Sequence, residues 1–359
     1  MAQGARNVRV VRVTPQGVRA RRDRVVVEEP LEIRINGQAF ATTMRTPGHD
    51  YELIHGFLFS EGVISSSDDV LSMQYCAGRT TIRKPEDLIP IANRTAGTRS
   101  GIGGDVGGTS NASTLTSKGG IYSESTLASK SGFGGASTES TLASKGSISG
   151  TWAQEIGGLA GGTFGAQVSG HNTYNVVNVR LAPHVEWESA ARNVAGNSAC
   201  GVCGSTSIER VLGRRHGVLE SVSLDPQVIL GLPDALAQQQ QLFRRTGGSH
   251  GAALFTLSGE LLRFREDVGR HNAADKLIGS FVMSNQVPLG ETMLVMSSRA
   301  SFELVQKAVM AGIPAVASLS AATSLAVELA TASGVALAGF IRAERFNLYA
   351  GELARPVNA

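Results

Sequence analysis

Residues 293–319, MLVMSSRASFELVQKAVMAGIPAVASL, decide the fold class of this chain. The segment predicts a helix at 302–310 between two short apolar strands, and a helix that connects two buried strands is typical of a parallel sheet. A further helix and strand follow as far as residue 340. The sequence therefore predicts an α/β fold with a largely parallel sheet covered by helices.

Upstream of this core, the patterns predict a portion rich in β-strands. Asn36-Gly37 lies between two β-branched runs and is a strong hairpin signal. Residues 51–59 have apolar side chains at helical spacing, with Asp50 as the expected cap. Residues 1–23 are locally basic and are predicted to form a flexible N-terminus. Further along, Pro233-Asp234 is expected to open a helix that ends near 246–248.

Residues 96–171 have a different composition. Gly, Ser and Thr dominate, and a Ser-Thr-Leu-(Thr/Ala)-Ser-Lys unit occurs three times. With few large apolar side chains, the segment cannot bury enough surface to offset its ordering entropy. We expect a flexible insertion that divides one domain into residues 24–95 and 172–359; a shallow β-solenoid is the alternative.

The bulk properties exclude several classes of protein. The formal net charge is only +3, which provides no overall basic field for nucleic acid. Three cysteines in 359 residues do not make a disulfide framework, so a reducing compartment is expected. The N-terminus lacks the apolar core of a signal peptide. Between residues 307 and 328 there is no charge, but a proline and several hydroxyl residues favour a buried strand and helix over a membrane span.

A Cys-x-x-Cys motif, Cys200-Gly201-Val202-Cys203, contains two of the three cysteines. Thr206 and Glu209 have the spacing of a capping box, which predicts that a helix begins directly after the motif. The positive end of a helix dipole favours thiolate over thiol and makes a sulfur reactive. From the spacing alone, a reactive sulfur pair, half of a zinc site and an inert structural pair all remain open.

Two other segments follow predicted strands, where ligands of parallel sheets bind. Residues 297–301 combine hydroxyl groups with Arg299, which suits either an anion or plain helix capping. Residues 341–345 contain Arg342 and Arg345, which can grip a phosphate or a purine edge or simply remain solvated.

Residues 265–271 contain five ionisable side chains in seven positions, between a predicted strand and a helix. A solvated turn explains most runs of this kind. At this place in the fold, we expect Asp267 to orient His271 so that the two serve as acid and base.

Several motifs in this order resemble the FdhD family, the formate dehydrogenase accessory sulfur carriers. The resemblance covers about residues 24–95 and 172–350. Its motifs are Glu28-Glu29-Pro30-Leu31, Met44-Arg45-Thr46-Pro47, Gly56-Phe57-Leu58, Ser60-Glu61-Gly62, Cys200-Gly201-Val202-Cys203-Gly204, Thr246-Gly247-Gly248-Ser249-His250, Glu266-Asp267-Val268-Gly269-Arg270-His271-Asn272, Asp275-Lys276, Ser298-Arg299-Ala300-Ser301-Phe302-Glu303, Ser320-Ala321-Ala322, Gly339-Phe340-Ile341-Arg342 and Arg345-Phe346-Asn347-Leu348-Tyr349.

The resemblance implies a cytoplasmic sulfurtransferase with a fold similar to cytidine deaminases, acting as a homodimer. It implies that Cys200 takes sulfur from a cysteine desulfurase as a persulfide, with Cys203 assisting. The sulfur then passes to the molybdenum bis-guanine-dinucleotide cofactor before that cofactor enters formate dehydrogenase. No permanent metal is implied. The family's contact with the guanine dinucleotide falls on Phe340, Ile341, Arg342, Ala343, Glu344 and Arg345.

Two other functions remain open. One is a zinc enzyme, because His184-Val185-Glu186 ahead of the Cys-x-x-Cys motif resembles the signature of zinc deaminases. Against it, no proline precedes Cys200, and His184 is expected at the end of a strand rather than on a helix. The other alternative is a chaperone that binds the molybdenum cofactor or the apo-enzyme without sulfur chemistry.

Overall fold

The computed structural model describes residues 4–76, 175–187, 208–215 and 219–354. The predicted insertion, residues 96–171, and the two cysteines Cys200 and Cys203 lie outside the described residues. The chain is α/β, as predicted.

A six-stranded mixed sheet forms the centre of the described structure. Its strand order is β13-β12-β11-β10-β8-β9. The strands are β8 (His250–Thr256), β9 (Leu261–Asp267), β10 (Thr292–Met296), β11 (Ala315–Ser318), β12 (Ala336–Arg342) and β13 (Arg345–Ala350).

The expectation of a largely parallel sheet was wrong in part. Only β10, β11 and β12 run parallel to one another. At one edge β8 and β9 form a hairpin whose β8 pairs antiparallel with β10, and at the other edge β13 folds back on β12. Both edge hairpins have short connections, which only antiparallel neighbours can use.

A second, four-stranded sheet has the order β4-β3-β6-β5. Its strands are β3 (Glu29–Ile35), β4 (Gln38–Arg45), β5 (Val70–Tyr75) and β6 (Val176–Leu181). The predicted hairpin at Asn36-Gly37 is confirmed, because both residues adopt positive φ angles of 50° and 85° between β3 and β4. Two further short strands, β7 (Ser223–Leu224) and β14 (Glu352–Leu353), pair with each other.

We predicted a flexible N-terminus for residues 1–23. Instead, the basic residues there belong to an antiparallel hairpin of β1 (Ala5–Thr14) and β2 (Gly17–Val26). Valines are interspersed with its arginines, and β-branched residues favour strands even where both faces are polar. The hairpin is mostly exposed, and Val13 leaves 68% of its surface open.

Seven α-helices lie within the described ranges: α1 (Asp50–Ser60), α2 (Ile208–Arg214), α3 (Pro226–Gln239), α4 (Gln241–Thr246), α5 (Arg270–Val282), α6 (Phe302–Met310) and α7 (Ser324–Ser333). The charge-free run is β11 followed by α7, as expected. Within the described ranges, none of the helices has both the length and the apolar character needed to cross a bilayer.

Two helix starts differ from the sequence predictions. The helix assigned to Pro233 begins instead at Pro226, where the side chain of Asp225 accepts the N–H of Gln227 at 2.8 Å. Asp50 does not cap α1, because it forms a buried bidentate pair with Arg45 at 2.9 Å.

Both faces of the central sheet are covered. A hydrophobic cluster lies on each face, and side chains alternate between the two along β8. Ala253 and Phe255 pack with α3 in the first cluster, and Leu254 packs in the second, on the opposite face. The second cluster continues through α5, α6 and α1 to the inner face of the four-stranded sheet. Helices α1 and α5 therefore connect the two sheets.

Helices α1 and α5 approach each other closely enough that only glycine fits between them. A Cβ at Gly279 would overlap the carbonyl oxygen of Glu52, and a Cβ at Gly56 would overlap that of Asp275. Since 56 faces 275 and 279 faces 52, the helices are antiparallel, and the end of α1 lies beside the start of α5.

We predict that Gly279→Ala destabilises the protein by about 3 kcal/mol or more, because an added methyl group must force the two backbones apart. Urea-induced unfolding measures the change. Gly231→Ala in α3 is the control: no atom lies within 4 Å of its Cβ position, so better helix propensity should stabilise the protein by about 0.5–1 kcal/mol. Equal effects of the two substitutions would show that the α1–α5 contact imposes no such constraint.

Candidate functional site

The site residues that the structure describes lie along one border of the six-stranded sheet, formed by the ends of its strands rather than by an edge strand. Asp267 at the end of β9 is paired with His250 at the start of β8. Ser297, directly after β10, donates its backbone N–H to Gly251 of β8 at 3.0 Å. Phe340 of β12 donates its backbone N–H to the segment that follows β11. The ends of five strands therefore meet along this edge.

Asp267 is a buried anchor. It is 0% exposed, and its carboxylate lies 2.6 Å from Nζ of Lys276. It also accepts the backbone N–H groups of Thr46 at 3.0 Å and Gly269 at 2.8 Å, and the side-chain amide of Asn272 at 3.2 Å. These four contacts fix the turn that leads into α5 and attach it to the segment after β4.

His271 is oriented by α6 rather than by Asp267, contrary to our expectation. Its Nε2 lies 3.4 Å from Oγ of Ser301 and 3.8 Å from a carboxylate oxygen of Glu303. Asp267 has no hydrogen bond to His271 among the described contacts, because its oxygens are already engaged by four other donors. A direct Asp267–His271 acid–base pair is therefore not present, although a role for either residue in proton transfer stays a prediction.

His271 is held in its neutral form. Burial lowers its pKa, and the positive charges of Lys307 and Arg270 lower it further, to about 4, against a smaller opposing effect of Glu303. Burial likewise lowers the pKa of His250. At pH 7 a neutral imidazole can accept a proton or donate one hydrogen bond.

Arg299 is the exposed residue of an otherwise largely buried loop between β10 and α6, and Arg270 is the first residue of α5. Burial lowers the pKa of Arg270, and the charge of Arg299 lowers it further. Sequence reasoning singled out Arg299 but assigned no role to Arg270, His250 or Glu303. His250 lies opposite Asp267 because β8 and β9 pair antiparallel as far as these two residues.

Phe340 interrupts β12 with a strained conformation. Its φ is 52°, which is rare for a bulky side chain, and the pairing with β13 shifts register here. The residue as a whole is 45% exposed. Strained backbone and exposed aromatic rings are typical of ligand sites.

The segment that follows Phe340 is a tight hairpin, so our expectation that it follows the last strand was wrong. Arg342 ends β12, Arg345 begins β13, and exposed Ala343 and Glu344 form the turn. The guanidinium of Arg342 donates to the carbonyl oxygens of Leu319 at 2.6 Å and Ile341 at 2.7 Å.

Ile341 is 0% exposed and packs in the core on the α3 side. With no exposed surface and its carbonyl oxygen bonded to Arg342, Ile341 presents no accessible atom to a ligand. Phe340, Arg342 and Arg345 remain the side chains of this hairpin best placed to contact one.

The chain leaves the described structure at Trp187 and returns at Ile208, on either side of the Cys-x-x-Cys motif. The ring of Trp187 packs edge-on against Phe40 at 6.2 Å. Arg214 of α2 donates to the carbonyl oxygen of Glu61 at 3.3 Å, beside the end of α1. The helix predicted after the motif is α2, and the proposed capping residue Thr206 lies outside the described residues.

His184 does not match the zinc-deaminase signature. It lies in a turn after β6 rather than on a helix, and its Nε2 is 2.9 Å from a carboxylate oxygen of Asp69. Among the residues that the structure describes, no group of three or more His, Cys, Asp or Glu side chains is arranged to hold a metal.

Comparison with known proteins identifies close relatives. The model of the FdhD/NarQ family matches residues 26–130 and 161–354. A protein of Corynebacterium efficiens named sulfur carrier protein FdhD is 40% identical over 341 residues, covering 94% of this chain and 92% of the relative. A Streptomyces avermitilis protein of the same name is 39% identical over 349 residues, covering 96% and 93%.

The fold is also found in a solved structure. The crystal structure of a candidate formate dehydrogenase accessory protein from Desulfotalea psychrophila covers 97% of this chain and 97% of its own, with a TM-score of 0.57 and 18% sequence identity. At that identity the likeness concerns the fold alone.

We predict that acidification destabilises the protein partly through His271. In the unfolded chain His271 binds a proton near pH 6.5, whereas in the folded protein it does so only near pH 4. The free energy of unfolding contributed by this residue is therefore present above pH 6.5 and lost as the pH falls towards 4. His271→Gln should remove up to about 3 kcal/mol of that fall.

Urea unfolding of both proteins between pH 7.5 and pH 4 measures the two slopes. Burial also lowers the pKa values of His250 and His55, so the free energy of unfolding of His271→Gln should still fall somewhat as the pH falls. Parallel pH profiles for the two proteins would contradict the prediction.

Proposed function

This chain belongs to the FdhD/NarQ family, and from that membership we propose that it is a sulfur carrier for the maturation of a formate dehydrogenase. The observation that carries this proposal is the Cys200-x-x-Cys203 motif in a chain whose relatives, named sulfur carriers, align over nearly their whole length. The proposed setting is the cytoplasm, and the proposed active form is a homodimer.

The proposed sulfur donor is a cysteine desulfurase that carries a persulfide. The Cys200 thiolate attacks the outer sulfur of that persulfide, the donor's S–S bond breaks, and the desulfurase cysteine leaves as a thiolate. The sulfane sulfur then rests on Cys200 as a persulfide. The chain returns to the described structure in α2 five residues after Cys203, which supports a thiolate favoured by a helix N-terminus.

The proposed acceptor is the molybdenum bis-guanine-dinucleotide cofactor, which is the substrate of the transfer. Cys203 attacks the inner sulfur of the Cys200 persulfide, so that a Cys200–Cys203 disulfide forms and the outer sulfur leaves as sulfide, which the molybdenum accepts. A cellular thiol must then reduce the disulfide before the next cycle.

The exposed edge of the hairpin β12–β13 supports binding of the guanine nucleotide. The ring of Phe340 offers a stacking surface, and two arginines, Arg342 and Arg345, lie on either side of the turn. Carbonyl contacts already orient the guanidinium of Arg342, so little side-chain freedom is lost when it meets a ligand. Arg299, in the loop after β10, is a further proposed contact.

We propose that His271 accepts or returns a proton during sulfur transfer. Its neutral state at pH 7 and its position at the start of α5 support this role. The end of α1, to which α2 is tied by Arg214, lies at that same end of α5. Asp267 acts on it only by fixing the turn.

A chaperone that binds the cofactor without carrying sulfur is the second candidate. The residues of the β12–β13 hairpin that we propose to bind the nucleotide would serve such a protein equally well. The two functions differ at Cys200, which a chaperone does not need.

We predict that the purified protein gains the mass of about one sulfur atom after incubation with a cysteine desulfurase and cysteine, because Cys200 accepts a persulfide. Intact-protein mass spectrometry measures the gain, which a thiol reductant should reverse. Cys200→Ala should show no gain, while Cys76→Ala, a half-buried cysteine outside the motif, should load like the wild type.

If the folded wild-type protein gains no sulfur, the sulfur-carrier hypothesis fails and the chaperone hypothesis replaces it. Formate dehydrogenase activity in cells whose only copy of this protein is the Cys200→Ala variant provides an independent check. A chaperone with this substitution would still support the activity, whereas a sulfur carrier would not.

We predict that Phe340→Gly keeps or raises stability but weakens binding of GDP about 5- to 100-fold. Glycine adopts a φ of 52° without strain, whereas loss of the ring removes about 1–3 kcal/mol of base stacking. Titration calorimetry with GDP and thermal unfolding measure the two effects. Phe243→Gly on α4, equally exposed at 44%, should leave GDP binding unchanged. Wild-type affinity in Phe340→Gly would remove the ring from the nucleotide site.

A further inference from the structure

We propose that the hairpin β1–β2 is a docking surface for a protein partner, and that an acidic, extended segment of that partner binds as a third strand beside β2. None of the residues that support this proposal belongs to the sulfur or nucleotide sites proposed above. The proposal therefore does not rest on the proposed function.

The hairpin concentrates the positive charge of the chain. It contains seven of the 33 lysines and arginines but only one of the 30 acidic residues, Asp23. Since the formal net charge of the chain is only +3, all other residues together are net negative. The seven arginines are all exposed, and they are Arg6, Arg9, Arg12, Arg19, Arg21, Arg22 and Arg24. Such a surface attracts an acidic partner.

Little within the protein neutralises these arginines. Among the described contacts of the hairpin, the one ion pair joins Arg21 and Asp23 at 3.7 Å, and both side chains are exposed. An ion pair of this kind contributes little. The charge of the hairpin is therefore available to a partner.

The strand register brings like charges together. Arg9 lies directly opposite Arg22, and Arg12 lies directly opposite Arg19. Like charges in directly opposite positions destabilise a pair of strands. Carboxylates of a bound segment would relieve this repulsion, so the hairpin gains stability when an acidic partner binds.

The hairpin is long and is anchored at its base. Each strand has ten residues, which corresponds to a length of about 33 Å. At the base, the backbone N–H of Val27 donates to the carbonyl oxygen of Gly4 at 2.8 Å. Gly248, after α4, packs against Val26 so closely that a Cβ there would lie 2.9 Å from that side chain. The exposed remainder of the hairpin is therefore held out from a fixed base.

The outer edge of β2 is the expected place of binding. Among the described strands, β2 pairs only with β1. An unpaired strand edge offers its backbone N–H and C=O groups to an additional strand.

The arginines of β2 point to both faces of the hairpin. Side chains alternate along a strand, so Arg19 and Arg21 lie on one face. Arg22 and Arg24 lie on the other face. A strand added beside β2 also presents its side chains to both faces, so its carboxylates can contact all four arginines.

The same features disfavour other occupants. A second copy of the hairpin would place arginines against arginines, which is how basic edges prevent self-pairing. A nucleic-acid duplex would meet the arginines of one face only, and residues 5–26 contain no aromatic side chain on which a single-stranded base could stack. Val11 and Val13, 45% and 68% exposed, add apolar surface that suits the side chains of a polypeptide.

The test is a fluorescence-anisotropy titration of the full-length protein with a labelled peptide of glutamate and valine that, when extended, has glutamates on both faces. We expect Arg19→Gln/Arg22→Gln to weaken binding about 5- to 30-fold, because it removes two exposed ion pairs. The variant should be at least as stable to urea as the wild type, since both like-charge pairs are gone. Arg180→Gln/Arg210→Gln, on β6 and α2, removes the same charge from exposed positions and should bind like the wild type.

Two further measurements separate strand addition from charge attraction alone. N-methylation of alternate peptide residues keeps every carboxylate but removes N–H groups that the strand ladder needs, so it should weaken binding about tenfold or more. Amide hydrogen exchange within residues 17–26 should slow when the unmodified peptide binds.

Four outcomes overturn the proposal. They are absence of peptide binding by the wild type, equal affinity for the methylated peptide, unchanged hydrogen exchange in β2, and tighter binding of a DNA duplex than of the peptide. Persulfide loading of Cys200 is measured separately and should be the same in both arginine variants as in the wild type, so failure of this proposal is distinguishable from failure of the sulfur-carrier function.

Discussion

The contact between α1 and α5 is the constraint on which the rest of the structure depends. Gly56 and Gly279 allow the two backbones to touch, and that contact holds the four-stranded sheet to the central α/β core. Because the first turn of α5 carries Arg270 and His271, the distance between these helices also sets where the site residues stand. Any residue larger than glycine would move the site as well as the core.

Two buried charged pairs hold α5 against its other neighbours, the end of β9 and helix α6. Asp267 with Lys276 and Asp275 with Lys307 are almost inaccessible to solvent. Burial raises the pKa of Asp275 to about 6, even though Lys307 opposes the shift, which shows how costly its charge is here. Such pairs add little net stability, but a shifted packing would leave each charge without its partner. We infer that they select one arrangement of the two sheets.

Two kinds of local structure position the site residues. The β12–β13 hairpin exposes Phe340 in a strained conformation, whereas the buried pair of Asp267 and Lys276 fixes the turn that leads into Arg270 and His271. The first feature suits contact with a planar base, and the second holds the start of α5 in one position. The sheet separates the two features, because β12 and β9 lie on opposite sides of β10.

The sequence by itself determined the local elements and the family. Asn36-Gly37 specifies its own hairpin through the φ angles that it allows, and residues 302–310 specify a helix through their apolar period. The spacing of Cys200-x-x-Cys203 is also local, but by itself it left a reactive sulfur pair, half of a zinc site and an inert pair open. The tertiary structure alone decided which side chains meet. Asp267 and His271 are four residues apart, yet Asp267 is engaged by Thr46 and Lys276 while His271 turns to Ser301 and Glu303. Such contacts leave no periodic trace in the sequence, because they depend on how separate segments pack, as Thr46 and Asp267 do across 221 residues.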